Sequence, residues 1–371
     1  MYLICYGTRP EMIKLFPLID ILKKKNIPHK TLFSGQHRDL FKQFKNYLPK
    51  PDYTLNTMEK NQSLNKLSSK IFAEIDMIDL SNITHVIVQG DTTTAYIIAM
   101  AAFNRKIKVI HLEAGLRTYN KYSPFPEEMN RCLISKIADI HLCPTTIAVN
   151  NLRKEGITQK VYLVGNTVVD AFNLISKNET FVEQETLLVT LHRRENRDKM
   201  YILWDQLNEI AKTKRIIYIV HPALKEKAYK YLDERITKLN GLNYKDMVEV
   251  IKTSSGIITD SGGLQEEAVC AGKKVLVCRD TTERPETIES GWGKLVGTKI
   301  LENLDFLYEK KTKDNRLKNP YGKDVCQKII NSLMKLCDKC SKYINKDELL
   351  YEQWETKRAY FCPYCKNKIW I

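Results

Sequence analysis

The chain has 371 residues and a net charge of +15, too long for one comfortable core, so two medium domains with a small appendage are expected. No apolar run approaches the length that spans a bilayer, and the start Met1-Tyr-Leu-Ile-Cys-Tyr-Gly7 lacks the basic flank of a secretion signal, so a cytoplasmic protein without membrane contact is expected. The lysines are scattered rather than gathered with base-reading or stacking groups, which disfavours a nucleic-acid partner.

Taken in chain order, residues 1–6 predict a strand, Gly7-Thr-Arg9-Pro-Glu11 a turn, and 13–25 a helix whose apolar residues fall mainly on one side. A strand over 29–34 and a helix of about 20 residues over 64–83 come next. The runs at 84–91 and 108–113 are β-branched, and 93–104 between them is apolar at helical spacing, so this segment reads as a βαβ unit. Strands over 137–143 and 161–164 complete a doubly wound domain by about residue 170. A second alternation predicts strands over 187–192, 215–221, 255–260 and 274–278, with helices over 200–213, 223–239 and 263–271. Helices over 301–310 and 324–336 close it. The expected fold class is α/β, two Rossmann-like doubly wound domains facing a cleft with a small C-terminal extension. The expected divisions are 1–170, 171–318, a returning helix in 319–336, and a tail from 337 to 371.

Three acids stand in separate signatures: Gln-Gly-Asp91-Thr-Thr-Thr, His-Leu-Glu113-Ala-Gly-Leu-Arg117 and Pro-Phe-Pro-Glu127-Glu-Met-Asn-Arg131. Asp91 and Glu113 end parallel strands, and open α/β sheets bind ligands at that edge. Carboxylates gathered in a cleft suit proton transfer, because each raises the others' pKa and one stays protonated while another acts as base. The plainer alternative has Asp91 capping the next helix and Glu113 paired with Arg117.

Asp260-Ser261-Gly262-Gly263 follows a strand and opens a helix, where unpaired amides and the helix dipole favour an anion. Gly7-Thr-Arg9-Pro-Glu11 is read as doing the same in the first domain, with Arg9 and Lys14 adding charge. Glu267 is a candidate acceptor for the vicinal hydroxyls of a ribose. His192 and His221 end strands of the second domain, placed to bond a phosphate or sugar oxygen or to carry a proton near neutral pH. No Gly-x-Gly-x-x-Gly follows the first strand and no Walker lysine motif occurs, which argues against a nicotinamide enzyme.

Of the ten cysteines, six lie singly in apolar or helical surroundings, as buried thiols do. The other four form Cys337-x-x-Cys340 and Cys362-x-x-Cys365, close to the spacing that holds a tetrahedral structural Zn2+. A disulfide pair is the alternative, and a lysine-rich chain without a secretion signal argues against it.

Gly-Thr-Arg-Pro-Glu, Gly-Gln-His-Arg at 35–38, Gly-Asp-Thr-Thr-Thr, His-Leu-Glu-Ala-Gly-Leu-Arg-Thr, Pro-Glu-Glu-Met-Asn-Arg, His-Arg-Arg-Glu-Asn, Thr-Asp-Ser-Gly-Gly-Leu-Gln-Glu-Glu and Arg-Asp-Thr-Thr-Glu-Arg-Pro-Glu follow one another in order. From residue 1 to about 335 the chain resembles the non-hydrolysing UDP-N-acetylglucosamine 2-epimerases. The resemblance implies a glycosyltransferase-B arrangement and reversible conversion of UDP-N-acetylglucosamine to UDP-N-acetylmannosamine for a glycan, by elimination of UDP to 2-acetamidoglucal and re-addition. It implies catalytic roles for Asp91, Glu113, Glu127 and His192, and nucleotide contacts for Arg9, Lys14, His221, Ser261, Gly262, Gly263 and Glu267. Gln36 matches one contact of an activating second substrate molecule, although Asp39 and Asn61 depart from the pattern expected there. No cofactor enters the implied chemistry, and a homodimer is expected. The four-cysteine tail has no counterpart in the resemblance. The rival readings are a hydrolysing relative that releases free N-acetylmannosamine, an epimerase acting on a modified sugar such as a diacetamido uronic acid, and a nucleic-acid- or protein-binding module built on an inactive scaffold.

Overall fold

The computed structural model describes all residues except 37–40, 42–43, 45, 60, 178, 310–316, 337–342, 347–349, 355–356, 362, 365–367 and 370–371. The first sheet holds β1 (Tyr2–Tyr6), β2 (His29–Phe33), β3 (Tyr53–Thr54), β4 (His85–Gln89), β5 (Lys108–Leu112), β6 (Ile140–Cys143) and β7 (Val161–Leu163). The second holds β8 (Thr186–Thr190), β9 (Arg215–Ile219), β10 (Thr237–Leu239), β11 (Gly256–Thr259), β12 (Val275–Val277) and β13 (Gly293–Leu295). Their orders are β3-β2-β1-β4-β5-β6-β7 and β10-β9-β8-β11-β12-β13, and every pairing in both is parallel. Both are doubly wound, with the order reversing between β1 and β4 and between β8 and β11. Ligand crevices form at such reversals, outside the carboxyl ends of the strands.

Strands β1, β4 and β8 are buried along their whole length. Helices cover both faces of a parallel sheet, so these central strands have no solvent side and read as continuous rather than alternating apolar runs. One apolar cluster runs through both halves and includes Ile4, Leu15, Phe172, Leu188, Val248 and Ile330. The rings of Phe44 and Tyr244 stack across the halves at 6.2 Å. The chain returns to its first half at the end. The Asp170 carboxylate accepts the Val325 and Cys326 amides at 3.2 and 2.6 Å, capping the helix Val325–Leu333. Gly165 has φ +100°, and a Cβ there would lie 2.5 Å from the Tyr321 carbonyl oxygen, so glycine permits the close return.

Several expected elements differ. The helix over 64–83 stops at Asp76. The segment over 301–310 is a 3-10 helix, Leu301–Tyr308. The helix expected over 223–239 is a 3-10 turn Pro222–Leu224, a helix Lys225–Tyr231 and the edge strand β10. A strand of three residues is too short to show a period of two, and its partner β9 lies about twenty residues back. The last helix ends at Leu333 rather than 336, because Met334–Leu336 pairs antiparallel with Tyr343–Asn345. That hairpin rests on the first half: Lys25 Nζ donates to the Tyr343 hydroxyl at 3.0 Å, and Asn345 Nδ2 lies 3.2 Å from His85 Nδ1. Leu350–Trp354, Lys357–Phe361 and Lys368–Ile369 form a further antiparallel sheet. Among the described residues no helix is long and apolar enough to cross a membrane.

Candidate active site

Glu113 follows β5 and turns the chain with φ +67°. Its carboxylate is buried, with Lys14 Nζ 2.7 Å and Arg284 Nη2 3.4 Å from Oε1, and it accepts from the Gln89 amide. Lys14 reaches onward to Glu266 Oε2 at 2.9 Å, and Arg284 Nε to Glu266 Oε1 at 2.7 Å. Asn166 Nδ2 also donates to Glu266, at 3.0 Å. Two carboxylates from opposite halves therefore share two cations. Burial raises the Glu113 pKa above the ordinary carboxylate value against the pull of Lys14 and Arg284. Burial acts on Glu266 in the same sense, but Arg284 and Lys14 outweigh it and hold Glu266 low.

Asp91 follows β4 and is paired with Arg131, whose Nε lies 3.0 Å from Oδ2, while Asn130 Nδ2 donates to the Asp91 carbonyl at 2.9 Å. Arg131 also holds Glu128 at 2.9 Å, and Glu128 accepts the Thr118 and Tyr119 amides, fixing the loop before the helix Glu127–Ile137. Glu127 opens that helix. Burial raises its pKa and the nearby Asp91 charge adds to the rise, while Arg193 and Arg131 oppose it. The plainer readings fail at both strand ends. Thr92 caps the helix Thr93–Asn104 by accepting the Ala95 amide at 3.0 Å, and Arg117 pairs with Glu155 at 2.6 Å.

The turn after β1 is not open to an anion as expected. The helix begins at Arg9, and its third residue, Glu11, accepts the Gly7 and Thr8 amides at 2.8 and 2.6 Å. The chain's own carboxylate thus occupies the helix N-terminus, the geometry of a capping box. Arg9 and Lys14 remain at the site as side chains. Arg9 is largely buried, which lowers its pKa, while Glu267 and Tyr244 pull it back up. Burial pushes the Glu267 carboxyl up to about 7, against the attraction of Arg9.

The turn after β11 differs. Ser261 is the N-cap of the helix Gly262–Ala271 without a side-chain bond to it, and its own amide donates to Thr259 Oγ1 at 2.9 Å. A Cβ on Gly262 would lie 2.4 Å from Arg284 Nη1, whereas one on Gly263 would meet nothing within 4 Å. Gly262 makes room for the arginine, and Gly263 faces open space. His192 and His221, after β8 and β9, stack at 5.5 Å between ring centroids with planes 9° apart. His221 Nδ1 accepts the Ala223 amide at 3.2 Å. Burial lowers the His192 pKa. Gln36 Oε1 accepts from Thr94 Oγ1 at 2.8 Å, at the N-terminal end of the helix Thr93–Asn104, while Asp39 lies outside the described residues.

Sequence reasoning singled out neither Arg284 nor Arg131, the cations that hold Glu113 and Asp91. The Arg131 pairing carries a weak signal in the spacing Glu128-x-x-Arg131. Arg284 is next to one partner, Glu283, but carries no signal for Glu266 and Glu113, which lie 18 and 171 positions away. Cys337, Cys340, Cys362 and Cys365 all lie outside the described residues. Among the described residues no group of three or more His, Cys, Asp or Glu is placed to hold a metal.

The chain matches the UDP-N-acetylglucosamine 2-epimerase family over residues 20–334. It is 40% identical over 375 residues to the UDP-N-acetylglucosamine 2-epimerase of Campylobacter jejuni, covering 90% of this chain and 97% of that one. Among solved structures, the Neisseria meningitidis UDP-GlcNAc 2-epimerase bound to UDP-GlcNAc superposes with a TM-score of 0.81 at 37% identity, covering 89% of this chain and 98% of that chain. The Methanocaldococcus jannaschii enzyme in complex with UDP-GlcNAc and UDP gives 0.77 at 35% identity, covering 89% and 99%. Two doubly wound parallel sheets and a match of this extent place the chain in the UDP-N-acetylglucosamine 2-epimerase family.

Proposed function

We propose that the protein interconverts UDP-N-acetylglucosamine and UDP-N-acetylmannosamine by elimination and re-addition of UDP. What supports this reading is the family match together with the buried ion pairs that join the two halves at their strand ends, Lys14 and Arg284 between Glu113 and Glu266, with Gly263 facing open space. Proton removal from C2 is slow unless charge leaves at once. A carboxylate takes the C2 proton while the C1–O bond to UDP breaks, giving the C1=C2 double bond of 2-acetamidoglucal. A proton then returns to C2 from the opposite face, and the diphosphate oxygen re-forms the bond to C1.

Asp91, Glu113 and Glu127 are assigned the proton transfers; burial raises the Glu113 and Glu127 pKa values, so these two hold a proton more readily than an exposed carboxylate does. Lys14 and Arg9 would meet the nucleotide from the first half. Ser261, Gly262, Gly263, His221 and Glu267 would meet it from the second, with His192 beside the leaving diphosphate and Gln36 in the activating-substrate site. The active form in this reading is a homodimer. The test is incubation with UDP-N-acetylglucosamine in deuterated water, without added NAD, followed by NMR. UDP-N-acetylmannosamine carrying deuterium at C2 is the expected product. Absence of both product and label would sink the proposal, and accumulation of free N-acetylmannosamine would favour the hydrolysing relative.

A structural Zn2+ in the tail belongs to the same reading. Leu336 pairs with Tyr343 and Phe361 with Lys368, so each Cys-x2-Cys lies in sequence between two paired strand ends. Metal analysis of the full chain is expected to give about one zinc per chain. Cys337→Ser is expected to remove it with little change in turnover.

A further inference from the structure

Asp260 precedes the glycine turn, and its carboxylate is wholly buried. It accepts the His192 amide at 3.0 Å from both oxygens, and its Oδ2 also accepts the Arg193 amide at 2.9 Å and Asn196 Nδ2 at 3.0 Å. The His192 ring then folds back so that Nδ1 lies 3.3 Å from Oδ1. A buried carboxylate offers only lone pairs, and an unprotonated Nδ1 would face it with another. The stable neutral arrangement therefore has hydrogen on Nδ1. His221, stacked parallel on the ring, fixes its plane.

We propose that Asp260 is a positioning residue that holds His192 as the Nδ1–H tautomer, leaving Nε2 as the nitrogen available to the leaving diphosphate or the sugar. The inference rests on the reading of His192 as a residue of the substrate cleft. The two strand ends that carry the pair, β8 and β11, are those between which the second sheet reverses its order. Asp260 thus braces the backbone and the ring of the same histidine at the ligand crevice.

Among the described residues, the charged and titratable groups that act on the ring are Asp260, Arg193, His221 and Glu195. Burial, Arg193 and His221 disfavour the imidazolium, and Asp260 and Glu195 favour it. Removing the Asp260 charge therefore lowers the His192 pKa further as well as freeing its tautomer.

The experiment is 15N spectroscopy of histidine-labelled full-length protein, with steady-state kinetics alongside, on the wild type, Asp260→Asn, His192→Asn and the double variant. The wild type is expected to show neutral His192 with Nδ1 protonated, and Asp260→Asn to shift the population towards Nε2–H and lower the imidazole pKa. Asp260→Asn is expected to lower kcat about a hundredfold or more, with KM for the UDP-sugar changed less than about fivefold. The double variant should be no slower than His192→Asn alone, because Asp260 acts through the ring. Additive losses, or an unchanged His192 tautomer and pKa in Asp260→Asn, would overturn the proposal. If Asp260→Asn does not fold, the wild-type spectrum decides, and a predominant Nε2–H tautomer overturns it. The spectrum needs no substrate, so a wild type lacking epimerase activity but holding Nδ1–H would refute the functional reading and leave the Asp260 assignment standing.

Discussion

Asp91 and Glu127 are partly exposed, with a quarter of the Asp91 side chain open to solvent, while Glu113 is sealed between Lys14 and Arg284. The three acids should therefore answer substitution differently. Asp91→Asn and Glu127→Gln are expected to lower kcat by about 10²- to 10⁴-fold with little change in melting temperature, because Arg131 keeps Glu128 when Asp91 is neutralised. Glu113→Gln should lose activity and stability together, since it strips a buried cluster of one charge; parallel kinetics and thermal melts separate the cases. A second residue-scale effect comes from His111 and His141, paired on β5 and β6. Burial depresses their pKa values to about 3 and about 4, against an ordinary 6.5. The unfolded chain takes up protons first as pH falls, so this stabilisation is intact above pH 6.5 and is lost progressively towards pH 4. Each tenfold difference in proton affinity between the unfolded and folded chain is worth about 1.4 kcal/mol. Melting temperatures between pH 7.5 and 4.5 should fall, and His141→Asn should flatten part of that slope.

At the scale of single elements, the helix Gly262–Ala271 shows two adjacent glycines with different duties. Gly262→Ala drives a methyl into Arg284 and is expected to cost about 1–3 kcal/mol in denaturant melts. Gly263→Ala has free space around its methyl, so stability should change by no more than about 1 kcal/mol while KM for the UDP-sugar rises. Long apolar elements were legible: the helix Thr93–Asn104 lies where the sequence puts it, because a helix with core on several sides reads as an uninterrupted apolar run. Short elements were not. Nothing local marks β10 or Met334–Leu336 as strands, since each is defined by a partner rather than by its own side chains.

Across the whole molecule, the two halves are joined by ionic and polar contacts and by a shared apolar cluster. Lys14 to Glu266, Arg284 to Glu113, Asn166 to Glu266 and the Thr145–Glu286 hydrogen bond all join the two halves. Arg284→Ala leaves Glu266, Glu283 and Glu113 short of a partner at once. It is expected to destabilise the protein by about 3–5 kcal/mol in melts, and to enlarge the radius of gyration in solution scattering as the halves part. By itself the sequence determined the α/β class, the alternation of strands and helices, and the sheet edge to which Asp91, Glu113, His192, His221 and Ser261 belong, because period and strand-end position are local properties. Tertiary structure alone decided which charge meets which. Glu11 fills the turn that looked open to phosphate, Arg284 reaches 171 positions to Glu113, and Asp260 turns from a turn residue into the brace of His192. Buried charges are stabilised by whatever the fold brings within about 4 Å, and that distance is set by packing between the two halves, which no local pattern records.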